Sequence, residues 1–307
     1  MKGFAREDSG NPEDMSNERQ SAGWRCGWVG AIALLASLSA CGSTSGDPPL
    51  GLAEGDIGYE CVTRLHQERA PAGPLPTRLT SLLSPDGQAR LSACDRCASY
   101  PWLAASFDTQ ITQAFCGVAS SVMTLNASAA SKPLSVPYEP FRYFTQCNIF
   151  NESARARLDL DRIADEGLTL AQVQWLLNAQ DGVRATCFHA GAPEPGVASE
   201  AVPPCAAVEA AAQFREAAKA ALGARDRFVL INFSRGTMSD DGQGGGHFSP
   251  LAAYDEETDS FLVMDVARYK YPPFWVDADL LWQSMATTDT VSERHRGYVV
   301  IDAPQAH

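Results

Sequence analysis

The stretch GGGHFSPLAAYDEETDSFLVMDV, Gly244–Val266, decides how the second half of this chain folds. Two apolar runs, FSPLAAY (Phe248–Tyr254) and SFLVMDV (Ser260–Val266), flank the acidic turn DEETD, which reads as an antiparallel hairpin. In such a pair, residues equidistant from the turn face each other. His247 precedes the first run and Asp265 lies eighteen residues later, with the turn midway. The spacing predicts cross-strand neighbours, with the carboxylate orienting the imidazole and stabilising its charged form. The glycines before His247 let backbone approach a ligand closely.

Working outward, FVLINFS (228–234) reads as a buried strand and GYVVI (297–301) as another. The first half has a helical period. Val118, Val122 and Leu125 follow Cys116 at helical spacing, and residues 153–166 repeat the pattern. Thr169 to Ala179 forms a further helix with Thr169 as N-cap, and Pro204 through Leu222 an alanine-rich one ended by Gly223. Helices first and antiparallel strands afterwards indicate an α+β fold with a single sheet. The segment 187–205, rich in proline, glycine and alanine, reads as a surface loop whose bounding cysteines are candidates for a disulfide.

The chain has 307 residues, 45% hydrophobic and 20% charged, which places it in the globular class. Its net charge of −13 repels phosphate backbones and argues against nucleic acid as a partner.

Trp28–Leu38, WVGAIALLASL, is too short to span a bilayer as a stable helix. Arg19 and Arg25 precede it, and LSAC (Leu38–Cys41) closes it in the manner of a bacterial lipobox. This order predicts a lipoprotein-type signal over 1–41 with Cys41 lipidated, a flexible tether over 42–75, and one catalytic domain over 76–307. The expected location is the periplasm, anchored to the membrane by lipid. Residues 1–18 carry more acid than base, which makes Met15 an alternative start.

Cys61, Cys94, Cys97, Cys116, Cys147, Cys187 and Cys205 remain after Cys41. An odd count in an oxidising compartment predicts one free thiol, and Cys116 is the expected one. CDRC (Cys94, Cys97) has no second CxxC to complete a metal site, so it is expected to contribute to a disulfide.

Cys116 opens a predicted helix, where unpaired N–H groups favour thiolate over thiol. Gln110, six residues upstream, has an amide able to donate to an oxyanion. With His247 and Asp265 these residues make a Cys–His–Asp arrangement for nucleophilic catalysis. A cysteine opening a helix is more often structural, and the paired His247 and Asp265 are what tip the reading towards catalysis.

The segments TQITQAFCGVASSVMTLNA (109–127), FRYFTQCNIFN (141–151), Gly244–Val276 and TTDTVSERHRGYVVI (287–301) resemble the catalytic domain of the phytochelatin synthase family, from about Leu79 to Ile301. The resemblance implies a papain-like fold acting on glutathione. Cys116 would attack the Cys–Gly bond and form a γ-glutamylcysteinyl thioester. His247 would act as base and acid, Asp265 as its orienter, and Gln110 in the oxyanion hole. Asp289 and Arg296 match positions that grip the γ-glutamyl end, and Arg235 and Arg268 are weaker candidates for a peptide carboxylate. No cofactor is implied. Cadmium or zinc would enter as thiolate complexes of glutathione. The segment 187–205 departs from the compact family pattern as an insert, and a homodimer is left open. The rival readings are an inactive metal- or metal-thiolate-binding lipoprotein and a peptidase of the same fold acting on other γ-glutamyl peptides.

Overall fold

The computed structural model describes residues 74–192 and 204–304. The predicted signal, Cys41, the tether and Cys61 lie outside the described residues, as do most of the 187–205 segment's inner residues.

Before residue 184 the described chain carries one two-residue strand, β1 (Thr80–Ser81), and six α-helices. These are α1 (Pro85–Ala93), α2 (Tyr100–Ala105), α3 (Cys116–Ala127), α4 (Glu152–Arg155), α5 (Leu160–Glu166) and α6 (Leu170–Asn178). Then come β2 (Arg184–Ala190), β3 (Ala206–Val208), α7 (Ala211–Leu222), β4 (Arg227–Ser234) and α8 (Arg235–Met238). The hairpin strands are β5 (Gly246–Asp255) and β6 (Ser260–Val263), followed by β7 (Phe274–Asp277) and α9 (Ala278–Met285). A small hairpin, β8 (Thr288–Asp289) with β9 (Arg294–His295), precedes β10 (Gly297–Asp302).

Eight strands form one sheet in the order β1-β7-β6-β5-β4-β10-β2-β3, antiparallel except for the β2–β3 pair. Helices cover both faces, which explains why β4 reads as an unbroken apolar run. Phe228 and Leu230 pack into the cluster that contains α3, while Val229, Ile231 and Phe233 alternate into the cluster with α7 and α9. Truncating a fully buried phenylalanine such as Phe228 is expected to cost about 3–5 kcal/mol.

The segment 153–166 is two helices rather than one. The Asp159 side chain accepts from the Asp161 and Arg162 N–H groups and caps α5, so the chain restarts there. The predicted helix over 204–222 begins only at Ala211, because Ala206–Val208 pairs in parallel with Phe188–Ala190. The Cys187–Cys205 disulfide is present, with Cα atoms 4.8 Å apart, and ties this edge strand to β2. Cys187 itself lies in β2, not in a loop.

The hairpin forms, with a different register. Its last pair is Asp255↔Ser260, leaving Glu256–Asp259 as a four-residue turn. The ladder then shifts between Leu251↔Val263 and Ala253↔Leu262, so Ala252 is a bulge. Carried onward at that register, His247 would stand opposite Ala267 rather than Asp265. Instead β6 ends at Val263, the Met264 N–H makes a last bond to Pro250 O, and Asp265 follows in coil.

Candidate active site

Cys116 is the first residue of α3, a helix buried at every position but Asn126. Of its hydroxyls, those of Ser121 and Thr124 donate to the carbonyls of Gly117 and Ser120, while that of Ser120 has no partner. The thiol is only 8% exposed. Burial raises its pKa, while backbone bonds from Phe248 and Gly117 and the charge of Arg235 pull the other way. The expected thiolate at the helix start therefore gives way to a resting thiol, because desolvation outweighs the helix terminus.

Phe248 follows His247 on β5, so the bond to the sulfur sets the thiol beside the histidine's own strand. His247 Nε2 lies 2.9 Å from Asp265 Oδ1, with the carboxylate fully buried. The contact anticipated from spacing is made, although by the coil after β6 and not by cross-strand pairing. Phe233 meets the imidazole edge-on at 5.5 Å. Burial and then the Arg235 charge lower the His247 pKa to about 4, against the opposing pull of Asp265. Burial alone would raise the Asp265 pKa, but His247, Arg235 and the Ala267 N–H hold it well below the usual carboxylate range. Near neutral pH the set is thus thiol, neutral imidazole and carboxylate, in which the imidazole is free to accept a proton.

Arg235 is not placed to take a substrate carboxylate. It is 9% exposed, and its Nη2 lies 2.8 and 2.7 Å from the two Asp265 oxygens. The glycine run is shaped around two arginines. A Cβ on Gly244, whose φ is +136°, would stand 2.7 Å from Arg235 Cβ, and one on Gly246 would stand 3.0 Å from Arg296 Nε. Gly245 has open space instead.

Gln110 is 2% exposed, and its Nε2 donates to Thr112 O, Gln113 O and Tyr269 OH at 2.8, 3.0 and 3.1 Å. In this arrangement the amide ties down the loop leading to Cys116. Arg268 donates to Phe107 O and lies over the Phe107 ring, 4.6 Å from its centroid.

A cleft of about 170 Å³ opens on Cys116 and is lined by Glu166, Asn232, Asp289, Val291 and Arg296 among others. Arg296 is 7% exposed and donates through Nη1 to Thr287 Oγ1 and Thr288 O, while its Nε has no partner. Asp289 accepts from Ser292 through Oδ2, and its Oδ1 stays 3.7 Å from Arg296 Nη2. A larger cavity of about 360 Å³, lined by Trp102, Lys132 and Arg225, adjoins the other end of α3 and holds none of these groups. Sequence reasoning missed Glu166 and Asn232. A glutamate ending an amphipathic helix carries no signal beyond solvation, and an asparagine inside an apolar strand carries only a faint one.

The single-free-thiol expectation is corrected. Among the described residues Cys94, Cys97 and Cys116 are all free, and Cys147 is disulfide-bonded. Cys94 closes α1 and donates to Tyr254 O, and Cys97 donates to Cys94 O, so the two thiols are held by carbonyls rather than by a bond to each other. Burial first, and then Cys97, push the Cys94 pKa up to about 12. Among the described residues no three His, Cys, Asp or Glu side chains are grouped to hold a metal ion.

A buried cysteine at a helix start, a histidine bonded to a buried carboxylate and an adjoining polar cleft define the site. The family model for phytochelatin synthase matches residues 71–298. The chain belongs to the phytochelatin synthase family. It is similar to glutathione gamma-glutamylcysteinyltransferase 1 of Triticum aestivum, 31% identical over 200 residues, covering 64% of this chain and 34% of that protein. It is 29% identical over 203 residues to glutathione gamma-glutamylcysteinyltransferase 3 of Lotus japonicus, covering 65% and 36%. The glutathione gamma-glutamylcysteinyltransferase of Schizosaccharomyces pombe is 27% identical over 266 residues, covering 85% and 58%. The chain spans about a third of the plant relatives' length and somewhat over half of the yeast one's.

Proposed function

We propose that this protein is a papain-like thiol acyltransferase that cleaves the Cys–Gly bond of glutathione. His247 takes the Cys116 proton as the sulfur attacks the cysteinyl carbonyl carbon, and the C–N bond then breaks as His247 returns the proton to the departing glycine. The resulting γ-glutamylcysteinyl thioester is hydrolysed to γ-Glu-Cys, or passes its acyl group to the amine of a second glutathione and begins phytochelatin. Asp265 keeps the imidazole oriented. Gln110 contributes to the oxyanion site by fixing the loop before Cys116. Asp289 meets the α-ammonium of the γ-glutamyl end and Arg296 the α-carboxylate. Arg268 is the candidate partner for the carboxylate of the second glutathione. Cadmium and zinc act as thiolate complexes of the substrate, and the reaction runs in the periplasm on a domain tethered through Cys41.

The observation that carries this reading is the 2.9 Å His247–Asp265 bond on the strand whose next residue, Phe248, bonds the buried Cys116, in a member of this family. The unpartnered Arg296 Nε at the cleft supports an anionic substrate group there. Incubation of the purified protein with glutathione, with and without cadmium, should release free glycine, and Cys116→Ala should lower that release by several orders of magnitude. Release that survives Cys116→Ala undiminished, or none from the wild type, would sink the proposal.

A further inference from the structure

Arg235 opens α8, and three parts of the chain are arranged around it. Its Nη2 reaches both oxygens of Asp265, its guanidinium lies 4.9 Å from the Tyr271 ring centroid, and its backbone N–H donates to Gly245 O. The preceding Gly244, at φ +136°, leaves the room its Cβ needs. Asp265 Oδ1 additionally accepts from His247 Nε2 and the Ala267 N–H, so the carboxylate is gripped from α8, from β5 and from its own backbone.

We propose that Arg235 is a positioning residue of the catalytic set: it clamps Asp265 through both carboxylate oxygens in the orientation that holds His247. The charged groups facing His247 are Asp265 after β6, Arg235 on α8 and Lys270 in the following loop. Asp265 favours the imidazolium, while Arg235 and Lys270 disfavour it. Removing the guanidinium leaves only burial and Lys270 against Asp265, so His247 should take up its proton at higher pH. The same charge favours the Cys116 thiolate once the proton leaves. The inference rests on Cys116, His247 and Asp265 as the reacting set, but not on glutathione as the substrate.

Two measurements on the full chain test it. Imidazole titration by NMR should show the His247 midpoint rising by about one unit or more in Arg235→Gln, the scale of a lost neighbouring charge. Iodoacetamide labelling at pH 7, quantified on the Cys116 peptide, should slow several-fold in the same variant. Where glycine release is measured, kcat should fall with KM within about twofold, and Arg235→Lys should restore the titration more than the rate, because an ammonium does not reproduce the planar guanidinium. An unmoved midpoint with the loss confined to KM would make Arg235 a substrate ligand and overturn the inference. If Arg235→Gln fails to fold, Arg235→Lys decides on the same split: a fall in kcat supports the proposal, and a rise in KM alone overturns it. Wild-type protein inert towards glutathione would defeat the substrate assignment and leave the titration and labelling tests standing.

Discussion

Arg235 and Arg296 make an instructive pair. Each is nearly buried, and each lies against a glycine of the run before His247. Arg235 spends its charge on Asp265, two aromatic rings lie near it, and the carboxylate it holds is fully buried. Arg296 has its Nη1 satisfied by threonines, but its Nε is orphaned and Asp289 stays at 3.7 Å. A buried donor without a partner costs free energy unless a ligand supplies one. The difference separates a cation whose charge is taken up inside the protein from one that keeps a donor to spare at the cleft.

The most disruptive way to probe the contrast is Asp265→Ala, which removes the acceptor shared by Arg235 and His247. It should cost about 3–5 kcal/mol of stability through the stranded guanidinium, read by thermal or denaturant unfolding. It should also cost about 10³-fold or more in kcat. Arg296→Lys keeps the charge and loses the donor geometry. It should raise KM about tenfold or more, the value of one charged hydrogen bond, with little change in melting temperature. The glycines give the finest resolution. Gly244→Ala should lose about 1–3 kcal/mol of stability, because its φ and its contact with Arg235 both resist a Cβ. Gly246→Ala should press on Arg296 Nε and raise KM a few-fold, and Gly245→Ala should be within about 0.5 kcal/mol of wild type.

A pH series sharpens the Arg235 side. The folded His247 pKa is about 4 against an ordinary value of 6.5, so between those values the unfolded chain binds the extra proton. Its contribution to stability is complete above pH 6.5 and is lost as pH falls towards 4. Arg235→Gln should narrow that window, and Arg296→Lys should leave it alone.

Much of this was legible in the chain. The buried strands over 228–234 and 297–301 are where the pattern put them, because a strand covered on both faces reads as a nearly continuous apolar run. Thr169 with Gln172 forms a complete capping box, a signal confined to four residues. What stayed hidden depends on partners distant in sequence. The strand β2 was obscured by the proline- and glycine-rich residues after it, although its own pairing is to β10, far along the chain. Arg235 read as a candidate for a peptide carboxylate because its partner within the protein lies thirty residues away. Cys94 and Cys97 donate to the carbonyls of Tyr254 and of Cys94 and are not joined to each other, an arrangement no spacing rule anticipates.

The bulge at Ala252 bears on how this hairpin can vary in length. Within the paired strands a change of one residue turns every later side chain to the opposite face, so the count from His247 to Ala253 and from Leu262 to Asp265 is fixed by the chemistry. The turn Glu256–Asp259 lies outside that count, and closing a longer loop there costs only fractions of a kcal/mol per residue. Insertions at the tip leave His247 and Asp265 in contact, whereas a single deletion at Ala252 separates them without touching either residue.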